Sequence, residues 1–293
     1  MSDEELTKFE SALKSKDENT ITEITMNHSN AERVKLRSDY KAKFNRELLD
    51  DLKKYTSSDL STLLISIYRD PVEYDAELLY RAMKGIGTED DIVIEVISFR
   101  SFERLSQIKQ KFQELYGNDL IKEIESETSG EYRTALKNLL ETERSKNQNP
   151  DLDNCKKIAE ELNNANESVF VKYFTSLSTE ELILVGKEYH KAYKKNLVQL
   201  VESKTSGDLQ KLLKNIMYGL ISPSEYFARQ IATAVKGVGT KDTQLIRSVV
   251  SRADEDMKLI KRYYKKLFQK EMAEEVKADT SGNYQKILLF LIG

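Results

Sequence analysis

Thr128-Ser129-Gly130-Glu131-Tyr132 decides how this chain folds, because the phrase returns. Altered copies read Thr56-Ser57-Ser58-Asp59-Leu60, Thr205-Ser206-Gly207-Asp208-Leu209 and Thr280-Ser281-Gly282-Asn283-Tyr284, at intervals of 72, 77 and 75 residues. Self-similarity at such a period marks an architecture whose units cannot bury their apolar faces alone and must pack on one another. Each copy opens an apolar stretch. After the second, Tyr132, Ala135, Leu136, Leu139 and Leu140 fall on one face of a 3.6-residue period. The Thr or Ser ahead of each stretch is placed to cap the new helix by accepting a first-turn N–H.

Working outward, Leu105, Ile108, Phe112, Leu115, Tyr116, Leu120, Ile121 and Ile124 recur every three or four residues, interrupted by Gly117-Asn118. That spacing predicts two successive helices, and nothing in the chain alternates like a strand. The three prolines, Pro71, Pro150 and Pro223, fall between units, where they start helices rather than break them. The expected fold is all-α, with four units of about five short helices over 1–70, 71–146, 147–221 and 222–293. Arg144-Ser145-Lys146-Asn147-Gln148-Asn149-Pro150-Asp151 is the most polar connection and reads as a linker halfway along, dividing the units into two pairs.

Composition narrows the function. Across 293 residues, 46 Lys plus Arg oppose 49 Asp plus Glu, so a net charge of −3 gives no general attraction to nucleic acid. No apolar run approaches the roughly 20 residues of a membrane span, and MSDEELTKFE lacks the pattern of a signal peptide, so a cytosolic protein is expected. With Cys155 alone and only His28 and His190, neither a disulfide framework nor a structural zinc site is expected. No nucleophile–base pair stands out, so the reading is not an enzyme. Gly85-Ile86-Gly87 is followed by Asp90 where a dinucleotide fingerprint needs its third glycine.

The second and fourth units align without gaps at an offset of 152. Both carry one loop, Met83-Lys84-Gly85-Ile86-Gly87-Thr88 and Val235-Lys236-Gly237-Val238-Gly239-Thr240. Forty residues after the second glycine comes a carboxylate, Glu127 or Asp279, immediately ahead of the Thr-Ser-Gly phrase. A helical bundle can bring that acid beside the loop. Glycines let the chain turn its carbonyls toward one point, and Ca²⁺ takes six to eight oxygens from carbonyls and carboxylates at about 2.3–2.6 Å.

In loop and distant acid together the chain resembles the annexin family, over essentially its whole length, including divergent protist members of the giardin type. The resemblance implies four repeats packed as one compact, slightly curved disc, and a type II calcium site in repeats II and IV. Carried over residue by residue, the carbonyls of Met83, Gly85 and Gly87 with the Glu127 side chain form one site, and Val235, Gly237, Gly239 and Asp279 the other. Lys84, Ile86, Lys236 and Val238 become candidate membrane contacts, and the implied partner is an anionic, phosphatidylserine-like membrane bound peripherally when calcium rises. About five oxygens and one negative charge per site leave the cation free to accept a lipid phosphate, so calcium and lipid should bind cooperatively.

Repeats I and III depart from this pattern. Their loops, Leu13-Lys14-Ser15-Lys16-Asp17-Glu18 and Leu162-Asn163-Asn164-Ala165-Asn166-Glu167, lack glycine, and Tyr55 and Lys204 occupy the acid positions. No type II site is expected there, which leaves open a weaker one using Asp17 or Glu167. Arg100 and Arg252 end the second helix of their repeats, where a guanidinium can pair with the last carbonyls. The family's polar channel is kept at Asp75, Arg100 and Arg247, but Leu78 replaces an acid, so ion conduction is not expected. No long tail precedes the first repeat, which argues against regulation through one. The rival function is a helical scaffold for a cytoskeletal or other protein partner. The protein is expected to be monomeric in solution, with self-association left to the membrane surface.

Overall fold

The computed structural model describes residues 2–85, 87–236 and 239–293. Among them are twenty α-helices and no strand. Repeat I holds α1 (Asp3–Ser15), α2 (Glu18–Met26), α3 (Asn30–Phe44), α4 (Leu48–Tyr55) and α5 (Ser58–Ile67). Repeat II holds α6 (Pro71–Met83), α7 (Asp90–Phe99), α8 (Phe102–Tyr116), α9 (Leu120–Glu127) and α10 (Gly130–Glu141). Repeat III holds α11 (Leu152–Asn163), α12 (Glu167–Ser176), α13 (Thr179–Tyr193), α14 (Leu197–Lys204) and α15 (Gly207–Ile221). Repeat IV holds α16 (Pro223–Val235), α17 (Asp242–Val250), α18 (Met257–Phe268), α19 (Met272–Asp279) and α20 (Gly282–Ile292).

The fifth helix of each repeat forms its hub. Leu60, Leu63, Leu64 and Ile67 are buried in α5, Ala135, Leu136, Leu139 and Leu140 in α10, Leu209, Leu212, Leu213 and Ile216 in α15, and Ile287, Leu288 and Ile292 in α20. A buried leucine or isoleucine is worth about 1.5–3 kcal/mol over an exposed one, so a few such side chains fix how each hub lies. In the expected α8–α9 stripe Leu105, Ile108, Phe112, Leu120 and Ile124 are buried, but Leu115 stays 42% exposed.

The turn before each hub works differently from the expected cap. Ser57, Ser129, Ser206 and Ser281 occupy the N-cap position, yet none accepts a side-chain hydrogen bond there. The threonine faces backwards instead, its hydroxyl donating to the carbonyl four residues earlier: Thr56 to Leu52, Thr128 to Ile124, Thr205 to Val201 and Thr280 to Val276, at 2.5–2.7 Å. The hydroxyl thus closes the fourth helix rather than opening the fifth. The glycine that follows then turns the chain with φ of +59°, +59° and +63° at Gly130, Gly207 and Gly282, a region that side chains disfavour.

Contacts divide the chain into two units, one of residues 1–74 with 224–293 and the other of 75–223. Repeat I thus packs with repeat IV, through α2 on α20 and α5 on α17, and repeat II with repeat III, through α7 on α15 and α10 on α12. The polar connection at 144–151 lies inside the second unit, so it does not divide the chain as its composition suggested. It is polar because it folds back: Arg144 donates to the carbonyls of Leu177 and Phe174 at 2.6 and 3.0 Å, Ser145 N–H to Ser176 O at 2.8 Å, and Ser178 Oγ to Asn147 O at 2.7 Å.

Candidate metal centres

The loops between the first two helices differ in length, and the difference is set by one recurring hydrogen bond. Glu89 N–H donates to Ala82 O at 2.8 Å and Lys241 N–H to Ala234 O at 3.0 Å, each closing over seven residues; Asp17 N–H donates to Ala12 O at 2.8 Å over five. The repeat I loop is therefore two residues shorter, and Glu18, not Lys16 or Asp17, stands where Asp90 and Asp242 stand at the start of the second helix. Repeat III connects α11 to α12 through 164–166 alone. Lost length and lost glycine go together.

In repeat II the loop and the distant acid meet. Thr88 Oγ1 donates to Glu127 Oε2 at 3.1 Å across 39 residues of chain. Repeat IV repeats the contact more tightly, with Thr240 Oγ1 at 2.6 Å from Asp279 Oδ2 and 3.0 Å from the Asp279 carbonyl. A plain interhelical turn would use the threonine as helix N-cap, but Glu89 and Lys241 hold the cap positions. Both threonines are committed to the carboxylates instead. Gly85, Gly87 and Gly239 have φ of +143°, +87° and +84°, and nothing lies within 4 Å of where a Cβ would be, so backbone conformation alone demands glycine there. Met83 and Val235 are buried at the ends of α6 and α16, anchoring the loops. Ile86, Gly237 and Val238 lie outside the described residues.

The donor set fits a hard divalent cation. Each loop meets one carboxylate, and no group of three or more His, Cys, Asp or Glu forms among the described residues, so a cation held here would take its other oxygens from neutral donors such as backbone carbonyls. Lys84 and Lys236 are exposed, and each leans on an aromatic ring, Lys84 Nζ 5.0 Å from the Tyr80 centroid and Lys236 Nζ 3.8 Å from that of Phe268. In repeat I the polarity is inverted: Glu18, the first residue of α2, accepts from the turn, Ser57 N–H to Oε1 at 2.7 Å.

Behind each glycine loop stands a second acid that the motif does not contain. Asp90 accepts from Tyr132 Oη at 2.9 Å, and burial together with the nearby Asp208 and Asp91 raises its pKa despite that bond. Asp242, beside Tyr284, is raised for the same first cause, burial. The signal was present in the sequence as an aspartate two residues past the loop threonine and a tyrosine 42 residues further on in repeats II and IV, with Leu60 and Leu209 in the tyrosine position elsewhere. Arg100 and Arg252 each pair with a carboxylate. Arg100 grips Asp75 through two bonds of 2.8 and 2.9 Å, and Arg252 donates to Asp256 at 2.7 Å while lying 4.9 Å from the Phe227 ring centroid.

The Annexin family profile matches residues 4–67, 74–139, 157–216 and 226–291. Annexin A4 of Mus musculus is 35% identical over 284 residues, covering 94% of this chain and 89% of that protein. A solved structure of a K16A mutant of annexin A8 superposes with a TM-score of 0.93 at 30% identity, covering 99% of this chain and 94% of the other. Calcium-bound annexin (Sm)1 gives 0.80 at 28% identity, covering 94% and 85%. Four matched repeats, an all-helical fold and full-length similarity establish that the chain belongs to the annexin family, whose members are generally calcium-dependent phospholipid-binding proteins.

Proposed function

We propose that this annexin binds anionic phospholipid membranes peripherally through two calcium sites, one in repeat II and one in repeat IV. The observation that carries the reading is the paired contact of Thr88 with Glu127 and Thr240 with Asp279, because each fastens a glycine loop to a carboxylate forty residues away. The carbonyls of Met83, Gly85 and Gly87 with Glu127 hold one cation, and those of Val235, Gly237 and Gly239 with Asp279 the other. Calcium, when bound, supplies net positive charge and open positions for a lipid phosphate. The chain's own charge of −3 repels an acidic leaflet, so attachment depends on the metal and reverses when it leaves. Lys84 and Lys236, with Ile86 and Val238 between the glycines, contact the headgroup region. In a cell the protein sits on the cytosolic membrane face when calcium is raised.

Co-sedimentation with phosphatidylserine vesicles, with and without calcium, tests this. The wild type is expected to pellet only with calcium, and the double substitution Glu127→Gln with Asp279→Asn to stay in solution. Pelleting that ignores calcium, or survives both substitutions, refutes the reading.

A further inference from the structure

Repeat III lacks a metal loop but shares an edge of its unit with repeat II. Asp91, in the first turn of α7, pairs with Lys211, in the second turn of α15, at 2.9 Å, and Lys211 also lies 3.4 Å from Asp208. Asp90 holds Tyr132, in the first turn of α10, at 2.9 Å. The N-terminal ends of α7, α10 and α15 therefore meet, and the segments leading into them open at one end of the unit. Glu127 stands three residues before Gly130 on that edge, and Lys204 three residues before Gly207.

Lys204 is exposed and, among the described residues, forms no hydrogen bond or ion pair through its side chain. Its acidic neighbours are occupied: Glu202 takes Lys214 at 2.6 Å and Asp208 takes Lys211. The turn around it is satisfied internally, with Thr205 Oγ1 on Val201 O at 2.7 Å and Gln210 Nε2 on Thr205 O at 2.6 Å. The turn is thus as well formed as in the metal-binding repeats, but it presents an ammonium where they present a carboxylate.

We propose that Lys204 binds a phospholipid phosphate directly, as a permanent cation in the place where repeats II and IV recruit calcium. The proposal rests on the membrane reading above and extends it: repeat III adds a contact that needs no metal. An ammonium meets a phosphate as a point charge, without the coordination geometry a divalent ion demands. A lysine near an acidic leaflet strengthens binding about fivefold, and salt screens that contribution.

Vesicle binding is measured with phosphatidylserine–phosphatidylcholine mixtures in two arms, saturating calcium and chelator at low ionic strength. With calcium, Lys204→Gln is expected to weaken binding about fivefold and reduce its salt dependence, with Lys204→Glu weaker still. Lys195→Gln, at the opposite end of α14, is expected to leave affinity unchanged. Wild-type affinity in both Lys204 variants overturns the proposal. If the wild type fails to pellet with calcium, the calcium-site reading falls and the chelator arm judges Lys204 alone: weak pelleting lost in Lys204→Glu supports it, and equal pelleting or none overturns it.

Discussion

Thr240→Val separates a fastened calcium ligand from one that merely lies nearby. Valine keeps the shape of threonine and removes the hydroxyl that holds Asp279 through its Oδ2 at 2.6 Å and its carbonyl at 3.0 Å. Groups that orient a metal ligand without touching the metal typically control 10–100-fold in affinity. The Asp279 contact is short and partly buried, so a loss of about tenfold is expected, or roughly 1.4 kcal/mol. Thr88 makes one exposed bond of 3.1 Å to Glu127, and Thr88→Val should cost only about two- to threefold, within the range of a single solvent-screened hydrogen bond. The assay is calcium titration of vesicle binding, with Thr240→Val made in a Glu127→Gln background and Thr88→Val in an Asp279→Asn background, so that each curve reports one site. An unchanged midpoint for Thr240→Val, or a larger shift for Thr88→Val, would refute the argument that these hydroxyls position the carboxylates.

Three further outcomes follow from the packing. Gly219→Ala should destabilise the protein by about 1–3 kcal/mol in chemical denaturation, because the new Cβ would sit 2.5 Å from the Ser98 carbonyl oxygen where α15 crosses α7. Asp75→Ala should cost about 3–5 kcal/mol, since Asp75 is 2% exposed and its loss removes both bonds to the buried Arg100 guanidinium and the 3.2 Å contact with Arg104. Asp90→Asn should leave stability nearly unchanged in acid and raise it relative to wild type toward neutral pH. The Asp90 pKa is raised by burial, so the wild type's contribution from that carboxyl is present below the ordinary aspartate range and lost as pH rises through the folded value. Denaturation curves at pH 4 and pH 7 check the sign.

The repeats were legible because their signal is local. Thr-Ser-Gly and the apolar spacing behind it lie within a dozen residues, and the helices they predict form where expected. The meeting of loop and distant acid was legible, because the two keep fixed places in two repeats and Thr88–Glu127 and Thr240–Asp279 join them. What the sequence hid was tertiary. Which repeats pair depends on α2 meeting α20 and α7 meeting α15, contacts made across more than a hundred residues, while the polar run at 144–151 carried a misleading local sign of separation. Arg144 is polar in that run because it closes the end of α12. The length of the short loops was equally hidden, since no residue in Ser15-Lys16-Asp17 announces the two that are missing. Nothing local to Thr88 or Thr240 marks the carboxylate that each hydroxyl holds. Their partners lie in another helix.

Diffraction from a crystal soaked in calcium tests the central claim most directly. The account predicts an ion at each glycine loop, ligated by Glu127 in repeat II and Asp279 in repeat IV, and none beside Tyr55 or Lys204. Two empty loops, or ions bound instead at Asp17 and Glu167, would contradict it.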